Sequence, residues 1–225
     1  MTDADPRCEQ MIQTQLVRRG IDDARVLDAM RRVPRHRFVR PEDQGLAYDD
    51  GALPTRHGQT ISQPYVVALM TQMLDVPPGT RVLEVGTGSG YQAAVLAAMG
   101  AVVFSVERDA ALASQAMTTL RELGYAEHVM IHVGDGTLGW AEHAPYDRVL
   151  VTAAGPMLPP ALREQAADHA RIVMPIGDRD TQHLVTFDRQ GERWHRTDGL
   201  AVRFVPLVGR DGWTDGGNAA ATMSP

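Results

Sequence analysis

Apolar positions along the chain follow first one period and then two. Between residues 8 and 19, Met11, Ile12 and Leu16 recur at helical spacing, and Gly20 supplies a stop. Val26, Leu27, Met30 and Val33 repeat that spacing behind a cap at Asp22 or Asp23, until Pro34 ends the run. These two amphipathic helices are predicted to form an N-terminal cover on whatever follows. The stretch on to Gly58, with Pro41, Gly45, Gly51 and Pro54, is predicted to be loop, and Asp49 and Asp50 in it are candidates for peptide contact, with a turn or cap role the expected one. Pro64 suits the first turn of a third helix with Val66, Val67, Met70, Met73 and Leu74 on its apolar face, and Ser62 or Thr60 falls at or near its N-cap.

From residue 82 onward, short apolar runs alternate with helical patterns. Strands are predicted near 82–85, 102–106, 129–133, 148–152 and 171–175, and helices near 92–96, 109–123 and 160–167. Alternation of this kind predicts an α/β fold, a doubly wound and mostly parallel sheet with helices on both faces. The character then changes. Residues 184–187 and 201–205 are predicted as antiparallel strands around a turn near Gln190-Gly191, and TDGGNAAATMSP, from Thr214 on, is predicted to be a disordered tail. A length of 225 residues fits one domain, placed at 1–213, with 7–58 as helical cover and substrate loop and 59–213 as core.

Composition removes some classes. No apolar run is long enough to span a bilayer, and the charged start MTDADPRCEQ is unlike a signal peptide, so a cytoplasmic protein is expected, with no membrane partner. A lone cysteine, Cys8, excludes an internal disulfide. The net charge of −6 argues against general nucleic-acid binding. Against it stands RRVPRHRFVR, with Arg31, Arg32, Arg35, His36, Arg37 and Arg40; a solvated surface or local ion pairing is the expected role, ahead of contact with an acidic partner. His128 and His132 lie in a predicted strand, where residues four apart are separated by roughly 13 Å, too far for one metal ion. No metal site is expected.

The candidate chemistry lies in RVLEVGTGSGY, residues 81–91, a strand that breaks into Gly86-Thr87-Gly88-Ser89-Gly90 before a helix begins. Glycines there let a ligand approach the backbone, and the helix N-terminus offers unpaired N–H groups. The spacing lacks the last glycine of the dinucleotide fingerprint GxGxxG, since Tyr91 follows, and no Lys-Ser/Thr pair marks a P-loop. About 20 residues on, Glu107 closes the next strand, where cofactor folds keep a carboxylate for ribose hydroxyls. With Glu84 ahead of the glycines, the pattern favours S-adenosylmethionine over a nicotinamide dinucleotide, although GxGxG also occurs as a bare strand-to-helix turn. Ser62 is no serine-hydrolase nucleophile on this pattern, for no GxSxG surrounds it.

Taken together, RRVPRHRFV, AYDDGALPTRHGQTISQPYVVALMTQML, VLEVGTGSGYQAAVLA, SVER, GDGTLGW, APYDRVLVTAA and VRFVPL resemble the protein-L-isoaspartate O-methyltransferase family, in its order and across about residues 7–208. TISQPY beside EVGTGSGYQ is the specific part. The resemblance implies a Rossmann-like methyltransferase sheet and an enzyme that moves a methyl group from S-adenosylmethionine to the free carboxylate of isoaspartyl residues, leaving S-adenosylhomocysteine and starting repair through a succinimide. It implies that Glu84, Gly86, Thr87, Gly88, Gly90, Glu107, Arg108, Asp135 and Gly136 bind cofactor. Ser62 matches the active-site serine, Thr60 and Gln63 its neighbours, and Val205-Pro206-Leu207 the segment along a bound peptide. Arg56 stands where the family commonly has a small residue; it is expected to face solvent, ahead of a role in favouring acidic peptides.

The partners implied are isoaspartyl proteins and peptides, and a monomer is expected. Two rivals share the cofactor motifs: an aspartate O-methyltransferase with a dedicated peptide substrate, and a cofactor-binding interaction module without turnover.

Overall fold

The computed structural model describes residues 5–55 and 59–214. Arg56 and the tail after Thr214 therefore lie outside the described residues. A seven-stranded sheet in the order β5-β4-β3-β6-β7-β8-β9 organises the chain. Its strands are β3 (Arg81–Val85), β4 (Val102–Glu107), β5 (Val129–Val133), β6 (Tyr146–Val151), β7 (Ala166–Gly177), β8 (Gln182–Gln190) and β9 (Arg193–Val202). The first five run parallel, and β8 and β9 turn back antiparallel. Added β-strands proceed from β3 to β4 and β5 on one side and from β6 to β7 on the other, so the winding reverses between β3 and β6. A crevice opens at the carboxyl ends of strands at such a reversal.

Residue alternation builds two cores. Val82, Val103, Val129, Leu150 and Val173 face one side; Leu83, Val85, Phe104, Val149, Ile172 and Met174 face the other. Helices α2 (Ala24–Arg32), α3 (Pro64–Leu74), α4 (Tyr91–Ala98) and α5 (Ala110–Glu122) cover the first side. Among the described residues, the second carries only α6 (Pro160–Glu164) and two single turns, Gly136–Leu138 and Ala141–His143, completed by the rings of Trp140 and Tyr146. Right-handed crossovers in opposite directions from the reversal place helices on opposite faces.

The N-terminal cover starts with α1 (Pro6–Met11), capped by the Asp5 carboxylate on Arg7 N and opened by Pro6. The chain then widens into a π turn, Ile12–Leu16, and tightens through Val17–Arg19, which lets Met11, Ile12 and Leu16 all reach the core before Gly20 ends it at φ 88°. Asp23 caps α2, as one of its two expected candidates.

Three expectations need correction. The stretch 35–55 is not plain loop: turns at Arg35–Phe38 and Pro41–Leu46 bury Arg35, Phe38 and Asp43, and a short hairpin pairs β1 (Leu53–Pro54) with β2 (Thr60–Ile61). The helix near 160–167 stops at Glu164 because β7 begins two residues later, starting with a pairing of Tyr146 to Ala166. The last strand is Arg193–Val202, earlier than 201–205, and residues 203–207 leave the sheet. Nearly all of β9 is exposed, so no buried face marks it in the sequence.

Candidate active site

A cavity of about 730 Å³ occupies the crevice at the winding reversal, within the range of roughly 300–1,000 Å³ usual for small-ligand sites. Its floor is the glycine turn between β3 and α4. Gly86, at φ 96°, takes a conformation closed to other residues, and a Cβ there would collide with Thr152 Oγ1. Thr152 follows β6 and clamps the turn, donating its hydroxyl to Gly86 O at 2.7 Å. Gly88 has open space where a Cβ would stand, and its N–H donates to Glu107 Oε2 at 2.8 Å. The other oxygen of Glu107 accepts Asp109 N at 3.0 Å. Glu107 thus ties the end of β4 to both the glycine turn and the start of α5, which Asp109 caps.

Beneath the floor lies a chain of hydroxyls. Thr87 Oγ1 and Ser105 Oγ share a hydrogen bond of 2.6 Å, and Ser105 donates to Glu84 Oε2. Glu84 is fully buried, and its Oε1 has no partner among the described residues. Burial pushes its pKa up to about 8, against the Ser105 hydrogen bond that lowers it, with the nearby Glu107 charge adding to the rise.

The second wall is the segment before α3. Gln59, Thr60, Ile61 and Ser62 line the cavity. β2 fixes this segment on one side, with Leu53 opposite Ile61 and Thr55 N donating to Gln59 O at 2.7 Å, while α3 fixes it on the other. Ser62 does not cap α3: Gln63 occupies the cap position, and no side chain bonds there. Freed from capping, the Ser62 side chain lies half-buried on the cavity wall.

Residues 204–208 supply the third wall. Phe204 N donates to the buried Gln182 side chain at 2.7 Å. Ala154 N donates to Val205 O, and Leu207 N donates back to Ala154 O, both at 2.8 Å. The chain then folds over the end of the sheet, where Trp213 Nε1 donates to Ala154 O at 3.0 Å and Arg210 N to Asp135 Oδ2 at 2.7 Å.

Comparison with known proteins bears on this geometry. Residues 7–212 match the family described as protein-L-isoaspartate(D-aspartate) O-methyltransferase (PCMT). Protein-L-isoaspartate O-methyltransferase 1 of Syntrophobacter fumaroxidans is 51% identical over 205 residues, spanning 91% of this chain and 95% of its own. The chain belongs to this family. A solved protein-L-isoaspartate O-methyltransferase superposes with a TM-score of 0.83 at 28% identity, over 91% of this chain and 67% of that one. Another from Plasmodium falciparum, in complex with S-adenosyl-L-homocysteine, gives 0.78 at 25%, over 89% and 98%.

Within this methyltransferase fold, the residues named from the motifs separate. Thr60, Ser62, Gly86, Thr87, Gly88, Glu107, Arg108, Gly136, Val205, Pro206 and Leu207 come together on the cavity wall. Four do not. Glu84 lies under the floor. Gly90, at φ 86°, packs its Cα side against Ala116 and starts α4. Gln63 turns away to donate to Asp50 Oδ1 at 2.6 Å. Asp135 lies in an adjoining hollow, its Oδ1 accepting from Thr137 N and Oγ1 and its Oδ2 from Arg210 N.

Sequence reasoning missed Thr152, Gln92, Arg179 and Phe204, which also line the cavity. Only Thr152 left a trace, as the polar end of the apolar run 148–152 beside the reversal. The basic run divides as well: Arg31 pairs with Glu9, Arg32 with Asp28, Arg37 with Glu122 and Arg40 with Asp43, which is the local ion pairing expected. Arg35 is the exception, fully buried.

Proposed function

We infer that this enzyme methylates the free carboxylate of isoaspartyl residues in proteins and peptides from S-adenosyl-L-methionine, and that Ser62 orients that carboxylate. The observation that supports the Ser62 reading is its placement: a hydroxyl not used as a helix cap, on the wall of the cavity whose floor is the glycine turn. The floor fits the cofactor. Gly86 takes a turn that a Cβ against Thr152 would disturb, Gly88 leaves its Cβ side as open space, and Glu107 presents a carboxylate suited to ribose hydroxyls beside them. When bound there, S-adenosylmethionine supplies an electrophilic methyl carbon on sulfur.

An isoaspartyl linkage leaves an α-type carboxyl with a pKa of roughly 3.5, so it is an anion at neutral pH. No general base is required, and the protein's work is alignment, which can contribute on the order of 7–11 kcal/mol. The carboxylate loses its charge on methylation. A neutral hydroxyl from Ser62 therefore suits the reaction better than an ion pair, which would hold the charged ground state too firmly. Thr60 and Val205-Pro206-Leu207, on the two walls beside it, are the surfaces for the peptide.

The working unit in this reading is a monomer, and among the described residues no helix is long and apolar enough to cross a membrane. We place the enzyme in the cytoplasm, acting on proteins and not on nucleic acid. The test is transfer of radiolabelled methyl to a matched pair of peptides, one isoaspartyl and one aspartyl, counting base-labile label. Label on the isoaspartyl peptide alone is expected; equal label on both would refute the substrate assignment. Ser62→Ala is expected to lower kcat/KM by about 10- to 100-fold with cofactor affinity, by calorimetry, unchanged. An unchanged kcat/KM removes Ser62 from the mechanism.

A further inference from the structure

Arg35 is 0% exposed, yet no carboxylate pairs with it among the described residues. Its Nε donates to Ala47 O at 2.7 Å and its Nη2 to Ser62 O at 2.8 Å, while the guanidinium carbon sits 4.9 Å from the centre of the Tyr91 ring. Nη1 has no acceptor. A buried cation without an anion is costly to keep, and an incompletely bonded one more so. A methionine or leucine would fill the space without that cost.

The three contacts show what the cation holds. Ala47 belongs to the N-terminal cover, Ser62 to the segment before α3, and Tyr91 is the first residue of α4, directly after the glycine turn. Arg35 joins all three at one point. Only a planar group with donors at fixed angles can reach two carbonyls from separate segments while lying against a ring; an ammonium cannot reproduce that fork. The Ser62 peptide has its flanks set by β2 and α3, but its carbonyl is set by Arg35 alone among the side-chain donors found.

We propose that Arg35 is a positioning residue for methyl transfer, fixing the Ser62 peptide so that the hydroxyl is aimed at the substrate carboxylate and held in register with the cofactor turn through Tyr91. This rests on the Ser62 reading given above. It assigns a role in turnover to a residue of the basic run that touches neither substrate nor cofactor. Because misplacement by about 1 Å can cost about 100-fold, loss of the fork acts on kcat and leaves cofactor binding intact.

The experiment compares wild type, Arg35→Met, Arg35→Lys, Ser62→Ala and the Arg35→Met/Ser62→Ala double variant, by steady-state kinetics on an isoaspartyl peptide, calorimetry with S-adenosylhomocysteine and thermal melting. Arg35→Met is expected to melt as a folded protein, bind S-adenosylhomocysteine within about threefold of wild type and lose about 10- to 100-fold in kcat. Arg35→Lys should recover part of that loss. In the Ser62→Ala background, Arg35→Met should cost little more, since its effect passes through Ser62. If Arg35→Met does not fold, Arg35→Lys decides alone by the same split between kcat and ligand affinity.

An unchanged kcat in Arg35→Met overturns the proposal, as does a full further loss in the Ser62→Ala background. Failure of both Arg35 variants to fold, or a parallel fall of kcat, affinity and melting temperature, assigns Arg35 to stability alone and also overturns it. Should Ser62→Ala retain kcat, the Ser62 reading itself fails and this inference with it. Should Ser62→Ala lose kcat while Arg35→Met keeps it, only the Arg35 inference fails.

Discussion

Glu84 is a carboxyl that the fold withholds from water, and the consequence is a sign in its pH dependence. Burial pushes its pKa up to about 8 from the ordinary 4.5, so the folded state binds a proton that the unfolded state has already released between those values. Its contribution to stability is complete below about pH 4.5, declines as pH rises and is gone above about pH 8. Glu84→Gln keeps the shape and removes the titration. We expect the melting temperature of wild type, minus that of Glu84→Gln, to fall steadily between pH 5 and pH 8 and then level off. A flat difference over that interval would show that Glu84 is ionised throughout. The neighbouring Ser105 and Thr87 hydroxyls link Glu84 to the glycine turn, so cofactor affinity, a property of the folded state, should stay level while Glu84 keeps its proton and change only as pH passes about 8.

At the scale of elements, the turn from β3 to α4 is the least replaceable part. Gly86 combines φ 96° with contact against Thr152 Oγ1, two independent reasons to reject a Cβ. Gly86→Ala is expected to destabilise the protein by about 1–3 kcal/mol and to weaken cofactor binding more than Ser62→Ala does, measured by melting and calorimetry. That turn was legible in the sequence because its signals are local: apolar β3, three glycines in five residues and the helical pattern of α4. The winding of β4, β5, β6 and β7 was legible for the same reason. β9 was not, since an exposed edge strand has no buried face to create a period. Nor was Arg35, one arginine among several in a basic run, whose burial depends on carbonyls 12 and 27 residues away. Ser62 misled differently. Serine before Pro64 suggests a cap, and only the backbone shows that Gln63 has that position and frees the hydroxyl.

At the scale of the whole molecule, a strap lies beside the cavity and contributes Val208 and Thr214 to its lining. Trp213 fastens residues 208–214 over the carboxyl ends of the strands through its ring N–H and its backbone bond to Leu207 O at 2.7 Å. That strap also occupies Asp135, through Arg210 N. Trp213→Ala is expected to cost about 1–2 kcal/mol, roughly 2–8 °C in Tm, and to weaken cofactor binding severalfold while the sheet remains folded by circular dichroism.

The order of the cavity's walls along the chain carries one more consequence. Glycine turn and carboxylate come from the middle, residues 86–107, but the walls around them come from 59–62 on one side and 204–208 on the other. A polypeptide cut short before residue 204 can still bury both faces of β3 to β7, yet it lacks a side of the reaction chamber. Truncation before residue 204 is therefore expected to abolish methyl transfer to an isoaspartyl peptide, because the chamber would be left open on that side.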